Sequence, residues 1–267
     1  MWRNEYRIVY YSWEFDTLQS FYRDILRLPQ MYGWYTSPVD RGCKFPIGEN
    51  RLELICRHPT LPQGPAGMRL EAKNIGLCYE NLRREPRVTV VKPLQKHEWG
   101  EYSFCIKDPV GNWVEIYQKT ETDPFPIPDD GKGYFTEEFT AIIYAENIER
   151  ITAFYRDSMQ MPVVHSWNRS AEDRGYRLKS AGGFTDIRQK TEDTPQGPAL
   201  TTIEAEDVNG CFAWLAARED VEVILGLTDT WYGDRIFQIC DGEKNVVEVL
   251  AYRRNMKDRE LTERRGL

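Results

Sequence analysis

The strongest constraint on how this chain folds is that it is written twice. Asp108-Pro109-Val110-Gly111-Asn112-Trp113-Val114-Glu115 returns as Asp241-Gly242-Glu243-Lys244-Asn245-Val246-Val247-Glu248, at an offset of 133 residues that keeps the Asp, the Asn and the final Glu. The same offset carries Phe21-Tyr22-Arg23-Asp24 onto Phe154-Tyr155-Arg156-Asp157, Trp34 onto Trp167 and Arg41-Gly42 onto Arg174-Gly175. It also carries Pro62-Gln63-Gly64-Pro65-Ala66 onto Pro195-Gln196-Gly197-Pro198-Ala199 without net insertion. A fixed internal period means one structural unit used repeatedly. Two domains are expected, 1–118 and 138–267, with a linker at 119–137 whose Pro124, Pro126, Pro128 and Asp129-Asp130-Gly131 oppose regular structure.

Within each copy the hydrophobic period changes from two to 3.6 and back. A β-rich run (Tyr6 to Tyr11, Phe139 to Tyr144) precedes a helix whose Leu18, Phe21, Tyr22, Ile25 and Leu26 share one face, matched by Ile151, Phe154, Tyr155, Ser158 and Met159. Pro29 and Pro162 stop these helices. Strands are expected at Met31 to Ser37, Gly42 to Ile47 and Arg51 to Cys56. A second set follows: a strand at Met68 to Lys73, a helix capped by Asn74, and strands around Thr89 to Val91, Tyr102 to Ile106 and Trp113 to Gln118. The order is βαβββ, four times over, in an α+β fold with two modules per copy.

Charge and composition remove several classes of function. A net charge of −7 argues against nucleic acid as a partner. No apolar run approaches the ~18 residues needed to span a bilayer. The start, Met1-Trp2-Arg3-Asn4-Glu5, lacks signal-peptide character, so a cytoplasmic location is expected. Cys43, Cys56, Cys78, Cys105, Cys211 and Cys240 include no Cys-x-x-Cys and read as buried free thiols. No nucleotide-binding glycine motif, zinc-protease motif or serine-hydrolase elbow is present. The arginines near the C-terminus, Arg253, Arg254, Arg264 and Arg265, are interspersed with acids and read as a solvated end.

The Phe-Tyr-Arg-Asp helix ending at Leu28-Pro29 or Met161-Pro162, the Trp99-Gly100 or Tyr232-Gly233 pair ahead of a strand, and the Asp-Pro-x-Gly-Asn-x-x-Glu ending together resemble the vicinal oxygen chelate superfamily. That superfamily includes glyoxalase I, extradiol dioxygenases, and fosfomycin and bleomycin resistance proteins. The resemblance implies paired βαβββ modules curled into a cup, with a divalent metal on the floor held from the first and last strands of each module. Carried over, the positions are Arg7, Glu53, Gly67 or a residue close by, and Glu115 in copy one, and Thr140, Asp186, Leu200 and Glu248 in copy two. The histidines usual at the first and third positions are missing. Arginine cannot ligate a cation, so no metal ligands and no cofactor are assigned, although a divalent metal held by other residues stays open.

The residues left at these positions support other chemistry. Arg7 beside Glu53 and Glu115 would replace the metal with an ion pair or hold an anionic ligand. Asp186 and Glu248, among Thr140, Ile142, Tyr144, Leu200, Val246 and Leu250, would form a catalytic acid–base pair with one raised pKa, unless Arg188 pairs with them. Alternation puts Trp113, Glu115 and Tyr117 on one strand face and Arg7, Val9 and Tyr11 on another. With Trp34, Tyr144, His165 and Trp167 they would line aromatic cups; His58 and His97 are read as surface residues. Three readings follow. The first is a metal-free binder of a small aromatic or amphipathic molecule, similar to the bleomycin-resistance branch. The second is a lyase, isomerase or dioxygenase-type enzyme of the same fold, and the third is a scaffold with filled cups. The partner is a small molecule, and the chain is a monomer or homodimer.

Overall fold

The computed structural model describes residues 1–56, 64–119 and 133–252. His58, Pro62, Gln63, most of the expected linker and the C-terminal arginines lie outside them. Four βαβββ modules are present. Module one is β1 (Trp2–Ser12), α1 (Phe15–Ser20), β2 (Tyr32–Ser37), β3 (Asp40–Ile47) and β4 (Asn50–Cys56). Module two is β5 (Gly67–Ala72), α2 (Ile75–Leu82), β6 (Thr89–His97), β7 (Glu101–Lys107) and β8 (Trp113–Lys119). Module three is β9 (Phe135–Ala145), α3 (Ile148–Ala153), β10 (Val163–Asn168), β11 (Arg174–Ser180) and β12 (Gly183–Gln189). Module four is β13 (Leu200–Ala205), α4 (Val208–Ala216), β14 (Glu222–Asp229), β15 (Asp234–Cys240) and β16 (Val246–Tyr252).

Two features of the helices go beyond the sequence pattern. At Phe-Tyr-Arg-Asp both α1 and α3 widen into a π turn, Phe21–Ile25 and Phe154–Ser158. Each then ends in a left-handed residue, Arg27 (φ 53°) and Gln160 (φ 52°), so termination comes before the prolines. The apolar face is as expected: Leu18, Phe21, Tyr22 and Leu26 are buried with their counterparts in copy two. Each such side chain contributes about 1.5–3 kcal/mol by leaving water. Asn74 caps α2 through the Leu77 N–H at 2.9 Å. Among the described residues no helix is long and apolar enough to cross a membrane.

The modules form two eight-stranded mixed sheets, in the orders β14-β15-β16-β13-β1-β4-β3-β2 and β10-β11-β12-β9-β5-β8-β7-β6. Sheet one therefore joins modules one and four, and sheet two joins modules two and three. Each curved sheet contains two βαβββ modules, but takes one from each copy, where the sequence reading assumed both from the same copy. β1 runs antiparallel to β13 with Arg7 opposite Thr202, and β5 antiparallel to β9 with Arg69 opposite Thr140.

This exchange requires the connectors to cross, and the repeated Gly-Pro-Ala, 64–66 and 197–199, is where they do. The Gly197 N–H donates to the Pro65 carbonyl at 3.0 Å, and a Cβ on either Gly64 or Gly197 would collide with the other's backbone. The repeated Asp and Asn secure the crossing. Asp108 accepts from the N–H groups of Val110 and Asn112, from the Asn112 amide, and from the Tyr22 hydroxyl. Asn112 in turn accepts the Ala66 N–H at 2.9 Å. Asp241 and Asn245 repeat the arrangement on Ala199, without the tyrosine: the Tyr155 hydroxyl, matching that of Tyr22, has no hydrogen-bond partner among the described residues.

Helices cover one face of each sheet. Tyr6, Ile8 and Tyr10 belong to a single core that includes residues of all four modules, whereas Arg7, Val9 and Tyr11 face away from the helices. Val114 and Ile116 likewise join that core, leaving Trp113, Glu115 and Tyr117 on the helix-free face of sheet two.

Candidate functional site

The helix-free face of each sheet is the floor of a cup, and the module exchange decides which residues meet there. Arg7 reaches Glu53 at 2.8 Å, as expected, but its other partners are Glu5 and the Tyr252 hydroxyl. Glu115 is in the other sheet, so the expected Arg7–Glu115 pairing does not form. Asp186 and Glu248 are separated for the same reason, and the acid–base pair they were expected to make is absent. The third positions also shift by two residues: Arg69, not Gly67, is in register with Glu115, and Thr202, not Leu200, with Glu248.

Sheet two carries a buried ion network. Arg188 holds Glu115 at 2.6 Å and Asp186 at 2.8 Å; Arg69 holds Glu115 at 2.6 Å and also pairs with Glu101. Arg177 grips Asp186 at 2.7 and 3.1 Å, and Glu138 accepts from Tyr117. Burial alone would raise both acids, but Arg188 with Arg69 holds Glu115 below its usual range, and Arg188 with Arg177 does the same for Asp186. Asp186 is thus an ion-pair member in a charged setting, not the carboxyl of an apolar one. Thr140, Ile142 and Tyr144 are beside it, and Tyr144 meets Trp113 edge to face at 6.4 Å.

The mouth of this cup is strapped. His97 stacks on Trp99 at 4.1 Å, and the Arg169 guanidinium lies 3.7 Å over the Trp99 ring and 5.7 Å from that of Trp167. Cation–π contacts of this kind contribute about 0.5–1 kcal/mol when exposed. His165, expected to line the cup, is exposed and stacks on Trp167 at 6.0 Å. Trp167 itself covers Gly175, as Trp34 covers Gly42; a Cβ at either glycine would overlap the indole. The repeated Trp and Arg-Gly signals are therefore cross-strand packing pairs.

Sheet one is chemically different. Burial would raise Glu53, but Lys44 and Arg7 hold it low. Glu248 makes no ion pair among the described residues; it accepts from the Gln238 amide at 2.9 Å. Burial, reinforced by Glu53, pushes its pKa up. Beside it Val9, Leu200 and Val246 form an apolar cluster with Tyr11 and Ile55 packed against it. Tyr11 is pushed well up and Tyr232 to about 12, both by burial and then by the nearby Glu248. The rim positions matching Trp99 and Arg169 are Tyr232 and Thr36, so the guanidinium of that strap has no counterpart at the repeat position. Trp231 at this rim is 82% exposed.

Arg69, Arg177, Gln238, Thr202 and Tyr232 were not among the expected site residues. Arg69 was within reach, being two residues along a predicted strand from Gly67. Gln238 was not, because it meets Glu248 only through cross-strand register.

These positions do not fit a divalent metal. In sheet one they hold Arg7, Glu53, Thr202 and Glu248; in sheet two, Arg69, Glu115, Thr140 and Asp186. A guanidinium cannot ligate and already takes up the lone pairs of Glu53, Glu115 and Asp186. No group of three or more His, Cys, Asp or Glu among the described residues is arranged to hold a metal ion.

A family model for the Glyoxalase/Bleomycin resistance protein/Dioxygenase superfamily matches residues 11–116 and 138–249, and the chain belongs to that superfamily. Glyoxalase I from Zea mays has the same fold, with a TM-score of 0.74 at 12% identity over 96% of this chain and 95% of that one. A protein of Bacillus subtilis subsp. subtilis str. 168, provisionally described as a dioxygenase, superposes with a TM-score of 0.67 at 13% identity, covering 98% and 89%. No curated protein sequence matches the chain.

Proposed function

We propose that the chain binds a small aromatic or amphipathic organic molecule in the cup of sheet one, without a transition metal. The observation that carries this reading is Glu248, a carboxyl free of ion pairs among the described residues, set beside an apolar cluster and held with a raised pKa. In its neutral form it donates a hydrogen bond to a ligand oxygen, while Tyr11, Tyr232 and Trp34 offer aromatic surface. The cup of sheet two is filled by its own arginines and strapped at the rim, which is the chemistry of a strut. The test is a thermal-shift screen of aromatic metabolites and antibiotics, because a ligand that binds only the folded form raises its melting temperature. Hits are expected to lose affinity at least tenfold in Glu248→Ala. A screen in which every hit is indifferent to that change, or near one equivalent of transition metal per purified chain, would sink the reading.

A second reading is favoured by the same raised pKa: a lyase or isomerase in which Glu248 alone moves a proton on the bound molecule. Catalysed exchange of a ligand C–H with solvent deuterium, lost in Glu248→Gln, would separate enzyme from binder.

A further inference from the structure

Where the connectors cross, each sheet ends in a cleft, and the two clefts are related by the repeat. The one beside sheet two, of 580 Å³, is bordered by Arg150, Lys190, Glu243 and Lys244. Its border carries a built-in anion: the Glu243 carboxylate takes the N–H groups of Glu146 and Asn147 at 2.8 and 2.9 Å. The cleft beside sheet one, of 410 Å³, has different chemistry in the same place. Among the described residues its walls include Tyr10, Tyr11, Trp13, Pro65, Val110 and Pro198. Val110 stands where Glu243 does, Trp13 where Glu146 does, and Tyr10 where Ile143 does.

Each replacement favours a guest. Val110 leaves out the internal carboxylate, and Trp13 is 52% exposed at the border. Tyr10 is only 4% exposed, yet its hydroxyl has no hydrogen-bond partner among the described residues. A buried hydroxyl left unmet is costly, and an acceptor on a ligand would remove that cost. Glu14 also borders this cleft, and no described lysine or arginine does, so an anion is disfavoured. The volume is within the ~300–1,000 Å³ typical of small-molecule sites.

We propose that this cleft is a second ligand site, taking an uncharged planar molecule whose ring lies on Trp13 and whose carbonyl or ether oxygen accepts from Tyr10. It abuts the Glu248 cup through Val9, Tyr11 and Leu200 but does not use Glu248. The test is a fluorescence titration of the intact chain with 6-propionyl-2-(dimethylamino)naphthalene, a neutral planar ketone whose emission responds to hydrogen bonding. Saturable binding is expected, weakened at least tenfold in Trp13→Ala and unchanged in Glu248→Gln. Val110→Glu, which recreates copy two, is expected to abolish binding while keeping the melting temperature. Tyr10→Phe is expected to weaken binding several-fold and shift the bound emission to the blue. No saturable binding, or binding indifferent to all three cleft variants, overturns the proposal. Loss in Glu248→Gln alone would move the probe to the neighbouring cup and also overturn it.

Discussion

Two glutamates at the same repeat position have been given opposite electrostatic settings. Glu115 is held by two arginines and Glu248 by an amide, so their pH responses run in opposite directions. A carboxyl with a depressed folded pKa, such as Glu115 or Asp186, contributes stability above its unfolded pKa and loses it as pH falls through the folded one. Glu248, with a raised pKa, contributes stability below its unfolded value and loses it as pH rises through the folded one. Wild type should therefore melt progressively lower than Glu248→Gln on going from about pH 5 to about pH 8. A gap that stays constant across that range would contradict the assignment. In sheet two, Arg188→Met strips a partner from both Glu115 and Asp186. The expected loss is about 3 kcal/mol by urea denaturation, towards the lower end for breaking a buried pair because Arg69 and Arg177 remain.

At the scale of elements, the Asp-x-x-x-Asn ending is a clamp. It grips Ala66 and Ala199 next to a crossing where only glycine fits. Gly197→Ala is expected to cost about 1–3 kcal/mol through overlap with Gly64. Gly226→Ala on β14, where a Cβ meets nothing within 4 Å, is the control and should stay within about 0.5 kcal/mol. Equal effects at the two sites would remove the crossing as the reason for the repeated glycine pair. The strands and helix faces were legible because their information is local: Leu18 to Leu26 are spaced for a helix, Asn74 caps, and Trp113 to Gln118 alternate. The sites were not, because Arg7 meets Tyr252, and Arg188 meets Glu115, only after modules from different copies have paired. A repeat says which units are alike and is silent about which of them become neighbours.

The molecule as a whole is one chain whose halves cannot each complete a sheet. Modules one and two, expressed together as 1–132, own half of each sheet and expose β1 and β5 where β13 and β9 should lie. Such halves are expected to be aggregated or self-paired when alone, and to yield a soluble one-to-one complex when 1–132 and 133–267 are co-expressed. Two stable monomeric halves would contradict the exchanged topology. The same arrangement sets a timetable during synthesis. Sheet two is complete once Gln189 has emerged, but β1 must wait for β13, with Trp2 paired to Ala205. At about 5–20 residues per second that delay is on the order of 10–40 s. Throughout it, an open strand edge from one nascent chain is close to identical edges on neighbouring ribosomes. The crossing that makes a single chain whole is thus also the point at which two growing chains can become joined.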